Sequence, residues 1–189
     1  MGHGKKSESK VNEAKGSGSF RKEFLFFLVV FFAIWLLSFL LTNRFPSFTN
    51  GLVTLVAREI AFCLDLLGYR FDLDGAAFLF HASHGTKKLV VITECTGLYT
   101  TIIYFSIIGA YPAGIRDKAL GLLIGIPSIH ILNLARMVFI SLVLYHRPGL
   151  FDLFHGFLWQ VVFVIFMLLL VILWMGKIVR PKRIGVPDE

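Results

Sequence analysis

The chain has 189 residues, 56% of them hydrophobic and 16% charged, with 20 phenylalanines and a mean hydropathy of +0.74. That balance excludes an ordinary soluble domain and points to an integral membrane protein. The formal net charge of +7 would favour nucleic acid in a soluble chain, but here the basic residues flank apolar runs, where they set orientation, so no nucleic-acid partner is expected.

Each span takes roughly 20 residues, so the length suits one compact bundle. Residues 1–20, rich in Gly, Ser, Lys and Glu, are expected to form a disordered cytoplasmic tail. Residues 21–177 are the expected single membrane-embedded domain, and 178–189 a basic cytoplasmic tail. Lys5, Lys6, Lys10, Lys15, Arg21 and Lys22 precede the first apolar run, while Lys177, Arg180, Lys182 and Arg183 follow the last, which puts both ends in the cytoplasm.

Phe24 to Leu41 is long enough to span, and no small-residue cleavage site follows it, so it reads as an uncleaved first span. Asn50 to Gly68 is apolar but carries Asn50, Thr54, Arg58 and Asp65 near one helical stripe. Counted as a span, it would send the basic C-terminal tail outside, so it is expected to be an amphipathic helix lying at the outer interface. Tyr69 to Glu94 then lies outside as a small β-hairpin, with strands over Ala77–His81 and Lys88–Thr93 and a turn through Ser83-His84-Gly85-Thr86.

Thr96 to Tyr111 is expected to be the second span, Pro112-Ala113-Gly114 with Arg116 and Lys118 a basic cytoplasmic turn, and the third span to rise from Ala119 past Pro127. His146-Arg147-Pro148-Gly149 marks an outer loop and Gly156 to Met175 the fourth span. The expected fold is an all-α membrane bundle of four transmembrane helices, one outer interfacial helix and one outer hairpin.

Helical rise, at about 1.5 Å per residue, then ranks depths. Cys95 lies roughly 31 Å and Arg136 roughly 30 Å above Arg116, and His155 roughly 33 Å above Lys177. These heights match a hydrocarbon core of about 30 Å, so a thiol, a guanidinium and an imidazole reach one outer plane. Met137 to Leu144 stays apolar beyond that plane, which requires either a tilted helix or burial beneath the outer helix and hairpin. Either way Arg136 needs a polar partner and cannot face lipid.

The residue types define a chemistry. A thiol near a helix N-terminus and cations is shifted toward the nucleophilic thiolate. His155 could take the thiol proton and return it to a leaving amine, Arg136 could donate to a tetrahedral oxyanion, and Asp152 could orient the His155 ring. Bland alternatives stand beside these roles: Cys63 reads as a packing residue, Arg136 could snorkel, His155 could be an ordinary interfacial residue with His146 as its competitor, and a Cys63–Cys95 disulfide would block the mechanism. His81 and His84 fall on opposite faces of a strand without further ligands, so neither a metal nor any other cofactor is expected.

Cys95-Thr96-Gly97 opening a span, Asn133-Leu134-Ala135-Arg136 in the next, and His155-Gly156 heading the last resemble the signature of the exosortase/archaeosortase family, from about Leu66 to Met175. The compact form is similar to the short exosortase H type. Many members have Ser where this chain has Thr96, and many carry additional N-terminal spans. The resemblance implies a membrane cysteine transpeptidase with Cys95, Arg136 and His155 as its catalytic set. It also implies partners: exported proteins bearing a C-terminal sorting signal with a transmembrane helix, cleaved and passed to an acceptor at the outer face of a bacterial inner membrane. A non-catalytic transport or surface-polymer assembly subunit is the alternative from another class. A thiol-disulfide oxidoreductase is disfavoured because the two cysteines form no C-x-x-C pair.

Overall fold

A computed structural model of the chain describes residues 4–82 and 85–179. Five α-helices and one small sheet follow in the order α1 (Gly4–Arg44), α2 (Pro46–Leu66), β1 (Phe71–Asp74), β2 (Ala77–Ala82), β3 (Gly85–Val90), α3 (Leu98–Ala110), α4 (Ile115–His146) and α5 (Trp159–Lys177). A 3-10 turn, Thr93–Thr96, precedes α3, and a π-helical turn, Leu153–Leu158, leads into α5.

Apolar composition dictates helices here, because in hydrocarbon each backbone N–H and C=O must be satisfied within its own segment. Phe26, Val29, Phe32 and Leu36 of α1, and Val164, Ile165, Leu168 and Ile172 of α5, are exposed on the protein surface, as suits side chains that meet lipid tails. Gly4 to Phe20 are helical where the sequence favours disorder, and the candidate membrane span of α1 is Arg21–Arg44, apolar from Phe24. Arg180, Lys182 and Arg183 of the expected basic tail lie outside the described residues.

The roster of spans differs from the expected one. Among the described residues four helices are long and apolar enough to cross a membrane: Arg21–Arg44, Pro46–Leu66, Ile115–His146 and Pro148–Lys177. The helix expected over Thr96 to Tyr111 has only 13 residues, because Gly97 takes a left-handed φ of 77° and delays the helix to Leu98. At about 1.5 Å per residue it rises about 20 Å, short of a bilayer core. The α2 helix, expected to be interfacial, does qualify by length and hydropathy, yet it lies along only half of α4. Glu59 meets His130 at 2.9 Å, and Tyr69, just past α2, hydrogen-bonds His146 at 2.8 Å.

Two cores explain this placement. The first gathers Val56, Ala57, Ile60 and Leu64 of α2 with Phe78, Phe80 and Leu89 of the sheet, Val91, Cys95, and Met137 and Leu144 of α4. The second, toward the other end of the bundle, gathers Tyr104, Ile108, Ile129, Phe163 and Trp174, and α2 contributes nothing to it. Helix α4, at 32 residues, rises about 48 Å and serves both. One face of its apolar stretch after Arg136, with Met137 and Leu144, is therefore buried under α2 and the sheet, the second of the two arrangements the sequence required.

Small residues permit the closest approaches in the second core. A Cβ on Gly125 would come within 2.3 Å of the Tyr104 ring, and one on Gly121 within 2.5 Å of Trp174. Tyr104 Oη donates to the Gly121 carbonyl at 3.0 Å and Trp174 Nε1 to the Asp117 carbonyl at 2.8 Å, so two aromatic residues pin α4 to α3 and α5.

The sheet has three antiparallel strands in the order β1-β2-β3, not the two expected. The β1–β2 connection is the two-residue turn Gly75-Ala76 with Gly75 at a φ of 59°, a conformation that favours glycine. Phe71, Phe78 and Phe80 form an aromatic cluster on the core face, with ring centroids 5.4–6.2 Å apart. Ser83 and His84 of the expected turn lie outside the described residues.

Candidate active site

Cys95 sits in the 3-10 turn that carries the chain from the sheet into α3, and it is 4% exposed. Short polar contacts shape this turn. Cys95 N–H donates to the Ile92 carbonyl at 2.9 Å, Thr96 Oγ1 donates to the Thr93 carbonyl at 2.7 Å, and the Leu98 N–H donates to Thr96 Oγ1 at 3.3 Å. Thr96 thus serves the first amide of α3 as a capping hydroxyl does. The thiol lies one tight turn ahead of α3, near its positive end.

A long-range hydrogen bond ties the turn to α4. Asn133, fully buried, donates from Nδ2 to the Cys95 carbonyl at 2.8 Å. Gly97 completes the fit: a Cβ there would stand 3.2 Å from both Cβ and Cγ of Asn133, and the φ of 77° disfavours any side chain. The Cys95-Thr96-Gly97 and Asn133-Leu134-Ala135-Arg136 motifs are two halves of one contact.

Arg136 lies three residues beyond Asn133 and therefore near the same face of α4. Its guanidinium carbon stands 5.6 Å from the centroid of the Phe163 ring on α5, a cation–π distance. The sequence called for a polar partner; what lies beside the guanidinium instead is an aromatic ring. Arg136 Nε is sealed without a hydrogen-bond partner, which leaves the two Nη groups as the donors open to the cavity.

His155 occupies the π-helical turn, a wider turn that rotates the following helix and recurs at functional sites. Phe151 stacks on its ring at 5.1 Å between centroids and 10° between planes. Asp152 is exposed and within electrostatic reach of the imidazole, as is Arg136, but His155 Nδ1 is buried with no hydrogen-bond partner. The ring is therefore held by stacking rather than by a carboxylate, and Nε2 is the nitrogen left available.

These residues meet. One cavity of about 320 Å³ is lined by Ile92, Glu94 and Cys95 from the turn, Thr100 from α3, Arg136 from α4, and His155, Gly156, Trp159, Gln160 and Phe163 from the π turn and α5. Arg136 is also within electrostatic reach of Cys95. The competitor, His146, is elsewhere, at the end of α4 and engaged with Tyr69. Cys63 and Cys95 are both free thiols. His81 is paired with Asp72 at 2.8 Å, and among the described residues no cluster of three or more His, Cys, Asp or Glu could hold a metal ion.

Glu94, Thr100, Trp159, Gln160 and Phe163 line the cavity without having been singled out from the sequence. A helical count from His155 would have reached Trp159, four residues on, had the segment been taken to extend His155's own face. The pair of His130 and Glu59 was likewise unforeseen; its 2.9 Å contact has ion-pair distance without hydrogen-bond alignment, since Glu59 Oε2 otherwise lacks a partner.

Comparison with known proteins gives two matches. The family model described as Transmembrane exosortase (Exosortase_EpsH) matches residues 14–172. Archaeosortase A of Haloferax volcanii is 32% identical over 109 residues, covering 54% of this chain and 36% of that protein. The match thus spans about a third of that relative's length. No solved structure matches. With the matched region running through every described helix, from within α1 to within α5, the chain belongs to the transmembrane exosortase family and is a multi-pass membrane protein.

Proposed function

We propose that the protein is a membrane cysteine transpeptidase. It would cleave the C-terminal sorting signal of exported proteins and transfer them to an acceptor at the outer face of a bacterial inner membrane. The observation that carries this reading is the convergence of Cys95, Arg136 and His155, from three separate elements, on one cavity. Family membership supports it, and similarity to Archaeosortase A supports it further.

The chemistry follows from the atoms at hand. His155 Nε2 accepts the thiol proton, and the Cys95 sulfur attacks the scissile carbonyl to form a tetrahedral oxyanion. The Arg136 Nη groups donate to that oxygen as its charge develops. The C–N bond breaks, the His155 proton goes to the leaving amine, and a thioester remains on Cys95. An acceptor nucleophile then gives its proton to His155 and displaces the thiolate. Because the thioester retains acyl reactivity, it can wait for that acceptor.

The substrate's transmembrane helix would lie in the bilayer beside the bundle, setting the height of its cleavage point by hydrophobic matching. Replacing Cys95 by Ala tests the reading directly. In cells of the native host, exported proteins that are processed in the presence of the wild-type chain should accumulate with their C-terminal helix attached. Continued processing by Cys95→Ala would favour a non-catalytic transport or assembly role.

A further inference from the structure

The sheet ends beside the cavity, and its last strand has an open side. Among the described residues no strand pairs with the second edge of β3. The register opposes Ala77 to Val90, and Val91 N–H donates to the Ala76 carbonyl at 2.9 Å, which makes Val91/Ala76 a bonded pair. In an antiparallel ladder such pairs alternate, so the backbone groups of Gly85, Lys87, Leu89 and Val91 turn toward β2. Those of Thr86, Lys88, Val90 and Ile92 turn to the open edge.

That edge leads into the site. Ile92 continues the extended backbone past β3, with φ of −116° and ψ of 171°, and itself lines the cavity with Cys95. Its carbonyl is occupied by the Cys95 N–H, but its own N–H and both backbone groups of Val90 face away from β2, where among the described residues no strand lies beyond them. Exposed edges are normally guarded by charge, and Lys88 guards the far part of this one. Val90 and Ile92 are apolar and 46% and 49% exposed, so the stretch nearest the thiol is unguarded.

The geometry points to β-strand addition: the segment of the substrate just before its cleavage point pairs with the open edge of β3 through Val90 and Ile92, and so is led extended into the cavity. This rests on the transpeptidase reading and specifies how that site takes its substrate. Main-chain bonds would supply register, and the cavity would hold the residues nearest the cleaved bond. A chain whose C-terminal helix then enters the bilayer runs in the same direction as β3 and α3, so the added strand is parallel.

The test uses the full-length protein in vesicles of host lipid. Its substrate is a reporter carrying the C-terminal segment of a host protein whose processing stops in Cys95→Ala cells. Val90→Pro removes one N–H from the open edge and leaves the β2–β3 ladder intact, because edge strands accept Pro where the N–H faces outward. Loss of one main-chain bond should raise KM roughly three- to tenfold. Turnover at saturation and the alkylation rate of Cys95 should be unchanged, and Val90→Ala, which keeps the N–H, should leave KM near wild type.

A second measurement is independent of how Val90→Pro folds. With the wild-type protein, N-methylation of consecutive reporter amides upstream of the cleavage point should impair processing at every second residue. A flat N-methyl scan, or an unchanged KM for Val90→Pro, would overturn strand addition while leaving Cys95 catalysis standing. Processing of the same reporter by purified Cys95→Ala would remove the catalytic reading and strand addition with it.

Discussion

Asn133 offers the sharpest perturbation, because one buried side chain joins the thiol-bearing turn to the helix that carries Arg136. In Asn133→Ala the Cys95 carbonyl loses its donor at 2.8 Å, and the remaining bonds of the turn are local ones, to Ile92 and Thr93. A buried carbonyl left without a partner costs about 1–3 kcal/mol. Loss of the Asn133 Oδ1, which is itself buried and unpartnered, offsets part of that cost. A net destabilisation of about 1–2 kcal/mol is expected.

The effect on turnover should be larger than on stability, since misplacing reacting groups by about 1 Å can cost about a hundredfold. Turnover of the processed reporter should fall about ten- to a hundredfold, with KM within twofold, because Asn133 does not line the cavity. Asn133→Asp separates positioning from packing. An ionised carboxylate has no donor for the Cys95 carbonyl, whereas the protonated form does. The rate of Asn133→Asp relative to wild type should therefore rise as pH falls, and thiol alkylation of Cys95 should follow the same trend. Asn133→Ala with wild-type turnover, or a pH-independent ratio for Asn133→Asp, would refute this role.

Other outcomes follow from single contacts. Gly97→Ala forces a Cβ into a left-handed residue and to 3.2 Å from Asn133, so thermal unfolding in detergent should show a loss of about 2 kcal/mol; a loss below about 0.5 kcal/mol would contradict the fit. Arg136→Lys keeps the charge but loses the planar fork beside Phe163, and should lower turnover strongly with a modest change in KM. His155→Ala should abolish processing and His146→Ala preserve it, since only the first lines the cavity. Gly125→Ala should destabilise the fold by about 3 kcal/mol, because its Cβ would overlap the buried Tyr104 ring that is held by the Gly121 carbonyl; Gly125→Ala/Tyr104→Leu should recover much of that loss.

The grouping of the three site residues was legible from their order and spacing, although hydrocarbon thickness is no ruler for α3, whose 13 residues rise only about 20 Å. Counting rise from Arg116 and Lys177 brought Cys95, Arg136 and His155 to one level, and these are the residues that share the cavity. The burial of Met137 and Leu144 under the sheet was one of the two alternatives that this count left open. What periodicity could not supply was the local backbone. Gly97 shortens α3 by its φ, and the π turn around His155 re-aims the ring, yet neither alters a hydropathy profile.

Strand β1 was missed although Phe71-Asp72-Leu73-Asp74 alternates and Asp74-Gly75 is a hairpin cue. Its proximity to an apolar helix masked a signal only four residues long. Helix α2 is ambiguous for a physical reason: its stripe of Asn50, Thr54, Arg58 and Asp65 is exposed as expected, while Glu59 beside the stripe meets His130 on α4. Asp152, placed one turn from His155 by spacing, gives way to Phe151 as the residue that stacks on the ring.

The central claim is that the Cys95 sulfur carries the acyl group between donor and acceptor. Acid quenching of the wild-type protein with its reporter, followed by mass mapping, measures this most directly. The account expects the reporter's new C-terminus joined to the peptide containing Cys95 through a bond that neutral hydroxylamine releases, absent in Cys95→Ala. Processed reporter accumulating with no adduct on Cys95 at any time, or an adduct on Cys63 instead, would contradict it.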